Sequence, residues 1–160
     1  MIKLKDILTE SYLPCISISD DDVIAATIIG EAGGEGMDGM KAVKSVLQNR
    51  ADARGSSIAG EALRPKQFSM WNKATAGVNV KADFKNSTRL SKIQLIINMH
   101  KKHSNWATAV ELSKTNIKDI TGGATKYYAS GGSHKIDPPY WAKGWTESDS
   151  VTIGNHTFGN

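Results

Sequence analysis

Residues 28–36 read Ile-Ile-Gly-Glu-Ala-Gly-Gly-Glu-Gly, placing the carboxyl of Glu31 at the end of an apolar run and just before a glycine-rich break. Val23, Ile24, Ile28 and Ile29 leave that carboxyl few water or donor partners on one side. Desolvation disfavours the charged form, so Glu31 is expected to hold its proton to a higher pH than a free glutamate. A glutamate still protonated near neutral pH can serve as a general acid. The glycines that follow allow a sharp turn and leave room for a bulky ligand. The plain alternative is a helix end capped by glycine. Against it, the helix macrodipole disfavours acids at a C-terminus, and Glu31 and Glu35 flank the Gly33-Gly34 pair.

Four further stretches carry groups suited to a polar ligand: Gln48-Asn49-Arg50, Gln67-Phe68-Ser69, residues 124–128 with Tyr127 and Tyr128, and residues 154–158 with His156. Pro138-Pro139-Tyr140-Trp141 lies between the last two. Sugars require this mixture, because aromatic faces meet their C–H faces while amides and hydroxyls bond their OH groups. For Gln67 and Ser69 the competing reading is a loop held by local side-chain bonds. For Glu35 it is an acid stabilising the start of the second helix.

His134, His156 and Asp137 invite a metal reading, but their spacing is irregular and argues against a zinc site. No metal or other cofactor is expected. His100-x-x-His103 reads as a solvated helix end, and His156 as a hydrogen-bonded structural residue as well as a member of the sugar-facing set.

The elements that must position these residues are mainly helical. Residues 1–19 read as an N-terminal arm, with Ile2, Leu4, Ile7 and Leu8 on one side and Pro14 near its end. Ser19 and Asp20 to Asp22 mark a helix start, and the first core helix runs from about Asp21 to Glu31. A second spans about Met37 to Arg54, with Met40, Val43, Val46 and Leu47 at helical spacing. A short helix is expected over Ser57–Leu63, stopped by Pro65. Trp71 to Asn86 has no clear period and reads as irregular structure. Helices follow over Thr88–Lys102 and Asn105–Thr115, ending before Gly122-Gly123. Beyond them, short strands are expected at Lys126–Ala129 and Ser150–Ile153 within a loop-rich, aromatic edge.

At 160 residues the chain suits one domain, here residues 20–160, and 39% hydrophobic with 22% charged residues fits an ordinary folded protein. No apolar run is long enough to span a membrane, and the first residues lack a signal-peptide core, so synthesis in a cytoplasm is expected. The single Cys15 excludes an intrachain disulfide and reads as a small hydrophobe. A net charge of +4 favours anionic partners such as a wall polymer, but no nucleic-acid motif accompanies it.

The ordered set Gly30-Glu31-Ala32-Gly33-Gly34-Glu35-Gly36, residues 39–43, Asn49-Arg50, Gln67-Phe68-Ser69, Tyr127, Pro139-x-Trp141 and Gly154-x-His156-x-Phe158 resembles the SleB-type cell wall hydrolase family, which includes spore cortex-lytic enzymes and related phage proteins. The resemblance runs over about residues 21–158. It implies a mainly α, lysozyme-like fold with a short-stranded C-terminal part, and cleavage of peptidoglycan between MurNAc and GlcNAc. It also implies that Glu31 is the catalytic acid, with Glu35, Gln67, Phe68, Ser69, Tyr127, Tyr128, Trp141 and His156 as candidates to hold the glycan. A phage-encoded endolysin or virion-associated enzyme, released with a membrane-opening partner, is the setting it suggests. Two departures stand out: many members carry Arg where this chain has Gly33, and Tyr where Gly159 follows Phe158.

Three mechanisms compete. If Glu31 protonates the glycosidic oxygen and the sugar's own C6 hydroxyl attacks, the enzyme is a lytic transglycosylase. If water attacks, it is a muramidase-type hydrolase, and a two-carboxylate version needs a second acid, for which Glu35 is the sequence-near choice. A wall-binding or virion protein could instead retain the fold without turnover. The single-acid route is the favoured expectation.

Overall fold

The computed structural model describes residues 18–72 and 87–160. Residues 1–17 of the expected arm, Cys15 among them, and residues 73–86 of the expected irregular segment lie outside the described residues.

Helix α1 (Asp20–Ala32) is the axis of the fold. Val23, Ile24, Ala25, Ala26, Thr27, Ile28, Ile29 and Ala32 are all buried, so the helix is covered nearly all round rather than along one stripe. Asp20, Asp21 and Asp22 occupy its first turn, where acids complement the helix dipole, and Asp22 pairs with Lys101 at 2.8 Å. Ser19 sits at the N-cap with extended backbone but makes no capping bond through its side chain.

Around α1 pack α2 (Gly36–Arg54), α3 (Ile58–Ala62), α4 (Ser87–His100) and α5 (Trp106–Lys114), each in contact with it. The core gathers Ile24, Ile28, Val43, Leu47, Phe68, Trp71, Ile93 and Ile97. Full burial of one such side chain stabilises by about 1.5–3 kcal/mol. Within the core the Trp71 indole N–H donates to Thr27 Oγ1 at 2.9 Å, and Thr27 donates to the Val23 carbonyl at 2.8 Å. Helix α2 ends at Gly55, whose left-handed φ of 60° lets its N–H cap the last turn. Helix α3 starts at Ser57, whose hydroxyl accepts from the Gly60 N–H.

Three short strands close the opposite face: β1 (Lys126–Ala129), β2 (Ser150–Ile153) and β3 (His156–Gly159). The sheet is antiparallel in the order β1-β3-β2, with Phe158 opposite both Tyr127 and Val151. Phe158 is buried with Ala42, Val46 and Ala124, so α2 is shared between the helical core and the sheet.

The mainly α expectation holds, and all five expected helices and both expected strands are present. The third strand is the difference. Residues 156–158 read in sequence as part of a sugar-facing motif, yet they form the central strand. That strand becomes recognisable only when two flanking strands supply its hydrogen-bond partners. Gly154, with φ of 58°, opens the tight β2–β3 turn, and a left-handed first position with glycine is what such hairpins favour. Among the described residues, no helix is long and apolar enough to cross a membrane.

Candidate functional site

Glu31 stands in the last turn of α1, where the buried face of that helix meets the sheet. Its carboxyl accepts a 2.7 Å hydrogen bond from the Tyr127 hydroxyl on β1. Burial pushes the Glu31 carboxyl above the ordinary glutamate range. The Tyr127 bond and the more distant His156 and Arg50 pull the other way without overcoming burial. Burial, then the neighbouring Glu31, holds the Tyr127 phenol well above its usual range, so it stays a donor. The pair thus joins a carboxyl suited to retaining a proton with a fixed neutral donor.

Glu35 is held differently. Its carboxylate meets His156 Nδ1 at 2.9 Å through Oε1 and 3.0 Å through Oε2. It also accepts from the Asn155 backbone N–H at 3.4 Å. A Cβ at Gly154 would lie 2.8 Å from Glu35 Oε2, so glycine is needed there for the turn to approach. Glu35 therefore anchors the β2–β3 turn to the loop between α1 and α2. It sits at the N-cap of α2, as a helix-start acid would, but with its side chain committed to the sheet.

Both acids line one polar cavity of about 290 Å³, with Ser133, His134, Asn155 and His156 on its walls. Ser133 Oγ lies 3.2 Å from His134 Nδ1. Among the described residues, no group of three His, Cys, Asp or Glu is arranged to hold a metal ion.

The aromatic groups form two sets. Tyr127 stacks on Phe158 at 5.2 Å and meets the His156 ring edge-on at 5.3 Å, which fixes its hydroxyl toward Glu31. Tyr128 lies on the other face of β1 against Trp141 and Trp145. Trp141 and Gln67 line a second cavity, to which Tyr127 also contributes. Ser69 is exposed and lines a third, largely apolar groove along α4 with Met70 and His100.

Phe68 departs from its expected place. It is 1% exposed, packed in the helical core under the Arg50 guanidinium at 5.2 Å, and offers no face to a ligand. The amide run fares likewise. Gln48 exchanges two hydrogen bonds with the Ile117 backbone, Asn49 donates to the Ala124 carbonyl, and Arg50 Nε donates to the Thr125 carbonyl at 2.6 Å. These side chains brace the segment leading into β1 and so set the height of Tyr127. Burial lowers the Arg50 pKa, against the opposing influence of Tyr127.

His100 and His103 are not merely a solvated helix end. His100 Nδ1 contacts the Ile96 carbonyl at 2.8 Å, and its Nε2 lies over Gly30. His103 Nε2 stands 3.1 Å from where a Gly33 Cβ would be, while Asn105 donates to the Gly33 carbonyl. Two glycines on α1 and its cap let these imidazoles approach on either side of Glu31 in sequence. At the other departure, a Cβ on Gly159 would fall 2.9 Å from the Trp145 ring, so Trp145 occupies the space a larger residue would take.

The Cell Wall Hydrolase family matches residues 34–159. The chain belongs to that family. The match covers the sheet, Glu35 and His156, and begins three residues after Glu31. No curated protein and no solved structure matches this chain. As a cell wall hydrolase, the protein has a bacterial wall polymer for its substrate class.

Proposed function

We propose that this cell wall hydrolase cleaves the MurNAc–GlcNAc bond of peptidoglycan as a lytic transglycosylase, with Glu31 as its single catalytic acid. The observation that carries the reading is the division of labour between the two acids. Glu31 has a raised pKa and one donor, Tyr127, whereas Glu35 is engaged by His156 and the Asn155 N–H. An acid so engaged is poorly suited to act as a nucleophile or to hold an attacking water, which supports the one-acid route.

In this route Glu31 donates its proton to the glycosidic oxygen as the bond from that oxygen to C1 of MurNAc breaks. The GlcNAc fragment leaves with a hydroxyl. The C6 hydroxyl of the same MurNAc attacks C1 and gives its proton to the Glu31 carboxylate, restoring the acid. The product is a 1,6-anhydro sugar, and no water is consumed. Tyr127 orients the carboxyl through both proton transfers. Tyr128, Trp141, Gln67 and Ser69 are the glycan-facing candidates, and His156 acts through Glu35 and Tyr127.

Mass spectrometry of products from purified peptidoglycan tests this reading. Anhydro-muropeptides are expected. Reducing-end muropeptides would replace transglycosylation by hydrolysis, and absence of glycan products from folded protein would move it to a binding role.

A further inference from the structure

The second cavity, of about 390 Å³, differs in charge from the one holding Glu31. Arg50, Lys66 and Lys126 line it together with Gln67, Tyr140 and Trp141, and no carboxylate is among its described lining residues. Three cations on one concavity repel one another unless an anion joins them.

Two observations show that this concavity is built. Arg50 is 8% exposed, makes no ion pair among the described residues, and leaves its Nη1 without a hydrogen-bond partner. Lys66 follows Pro65 in a turn closed by the Gln67 N–H to the Arg64 carbonyl. It has a φ of 63°, the one positive φ outside glycine among the described residues. Glycine or asparagine is the favoured residue at the third position of such a turn, so a lysine there is a costly choice for backbone reasons. What a lysine adds is a cation at the cavity mouth.

Tyr127 links the two cavities: its hydroxyl bonds Glu31, which lines the acidic one, and the same residue is among those lining the cationic one. In the reaction proposed for Glu31 the reacting sugar is MurNAc. In peptidoglycan that sugar bears, through its lactyl group, a peptide stem with free carboxylates. We propose that the Arg50, Lys66 and Lys126 cavity binds the stem carboxylates, with the exposed Tyr140 and the half-buried Trp141 covering the stem's aliphatic part. The inference rests on the peptidoglycan reading above and makes the protein selective for glycan that still carries its peptides.

The test uses soluble glycan strands freed of phosphate polymers with hydrofluoric acid. They are compared in native form and with their carboxylates capped as methylamides. Wild-type protein should show a KM about fivefold higher on capped strands, the effect of two partly exposed charge pairs. In the double variant Lys66→Asn, Lys126→Gln the two KM values should converge within about twofold. Asparagine tolerates the left-handed backbone at position 66, and general structural damage would raise both values together. Calorimetry of strand binding to Glu31→Gln, with and without the two lysine changes, reads the same ratio without turnover. If wild type cleaves no strand, the catalytic part of the proposed function fails while this binding ratio still decides the cavity's role. A double variant that keeps the wild-type ratio would overturn the proposal. The same comparison on strands not treated with hydrofluoric acid reads the phosphate contribution, and a preference seen only there would also overturn the proposal and assign the cavity to a phosphate polymer.

Discussion

Tyr127 donates a 2.7 Å hydrogen bond to Glu31, joining the sheet to the central helix across 96 residues of sequence. The bond favours the carboxylate form of Glu31, while burial favours the protonated form and prevails. The two opposing effects can be separated by substitution.

Glu31→Gln keeps the shape and removes the transferable proton. Wall-clearing activity should fall about 10²–10⁴-fold, the usual contribution of a positioned acid. Turbidity loss of a peptidoglycan suspension measures it, and clearing at the wild-type rate would exclude Glu31 as the acid.

Tyr127→Phe should cost activity about 3–10-fold, the loss of one orienting hydrogen bond. Because the lost bond had favoured the carboxylate, the Glu31 pKa should rise further. The alkaline limb of the pH–rate profile should then move to higher pH. A limb moving to lower pH would mean that the bond does not act on Glu31 in this way.

Glu31 also leaves a mark on stability. Its folded pKa is raised, so the unfolded chain releases this proton first as pH rises. The fold is therefore penalised progressively above the unfolded value near 4.5, and fully above the folded one. Glu31→Gln removes the penalty and should raise Tm at pH 8 but not at pH 4. Thermal melts at the two pH values compare them, and an equal shift at both would point to packing instead.

Glu61 behaves in the opposite sense. Burial pushes its carboxyl up, but hydrogen bonds from Arg64, Ser56 and Arg54 outweigh that and hold it at about 2. The stability this contributes is present above the unfolded value near 4.5 and is lost as pH falls through about 2. Glu61→Gln should flatten acid denaturation over that window and destabilise at pH 7 by about 1.5–3 kcal/mol. Urea unfolding at pH 7 and within the window between about 2 and 4.5 measures both effects.

Much of this protein was legible in the chain itself. Apolar spacing marks α2, α4 and α5, because a helix buried along one face must repeat its contacts every three to four residues, while capping acids mark the start of α1 and Pro65 the stop after α3. The raised Glu31 pKa expected from its apolar setting holds, with burial as its cause. Other features depend on partners far away in sequence. Phe158 looks like a ligand group until β1 and β2 pair on either side of it, whereas His156 is hydrogen-bonded to Glu35 and still lines the cavity. Phe68 is a candidate to hold the glycan by resemblance, yet Arg50 and the helical core close over it. Lys44 looks like any surface lysine of α2, yet it is fully buried. Only the tertiary structure decides that Tyr127 rather than Tyr128 reaches Glu31, and that Glu35 turns to His156. Local sequence fixes which groups a segment carries and its period, whereas long-range packing fixes which of them meet.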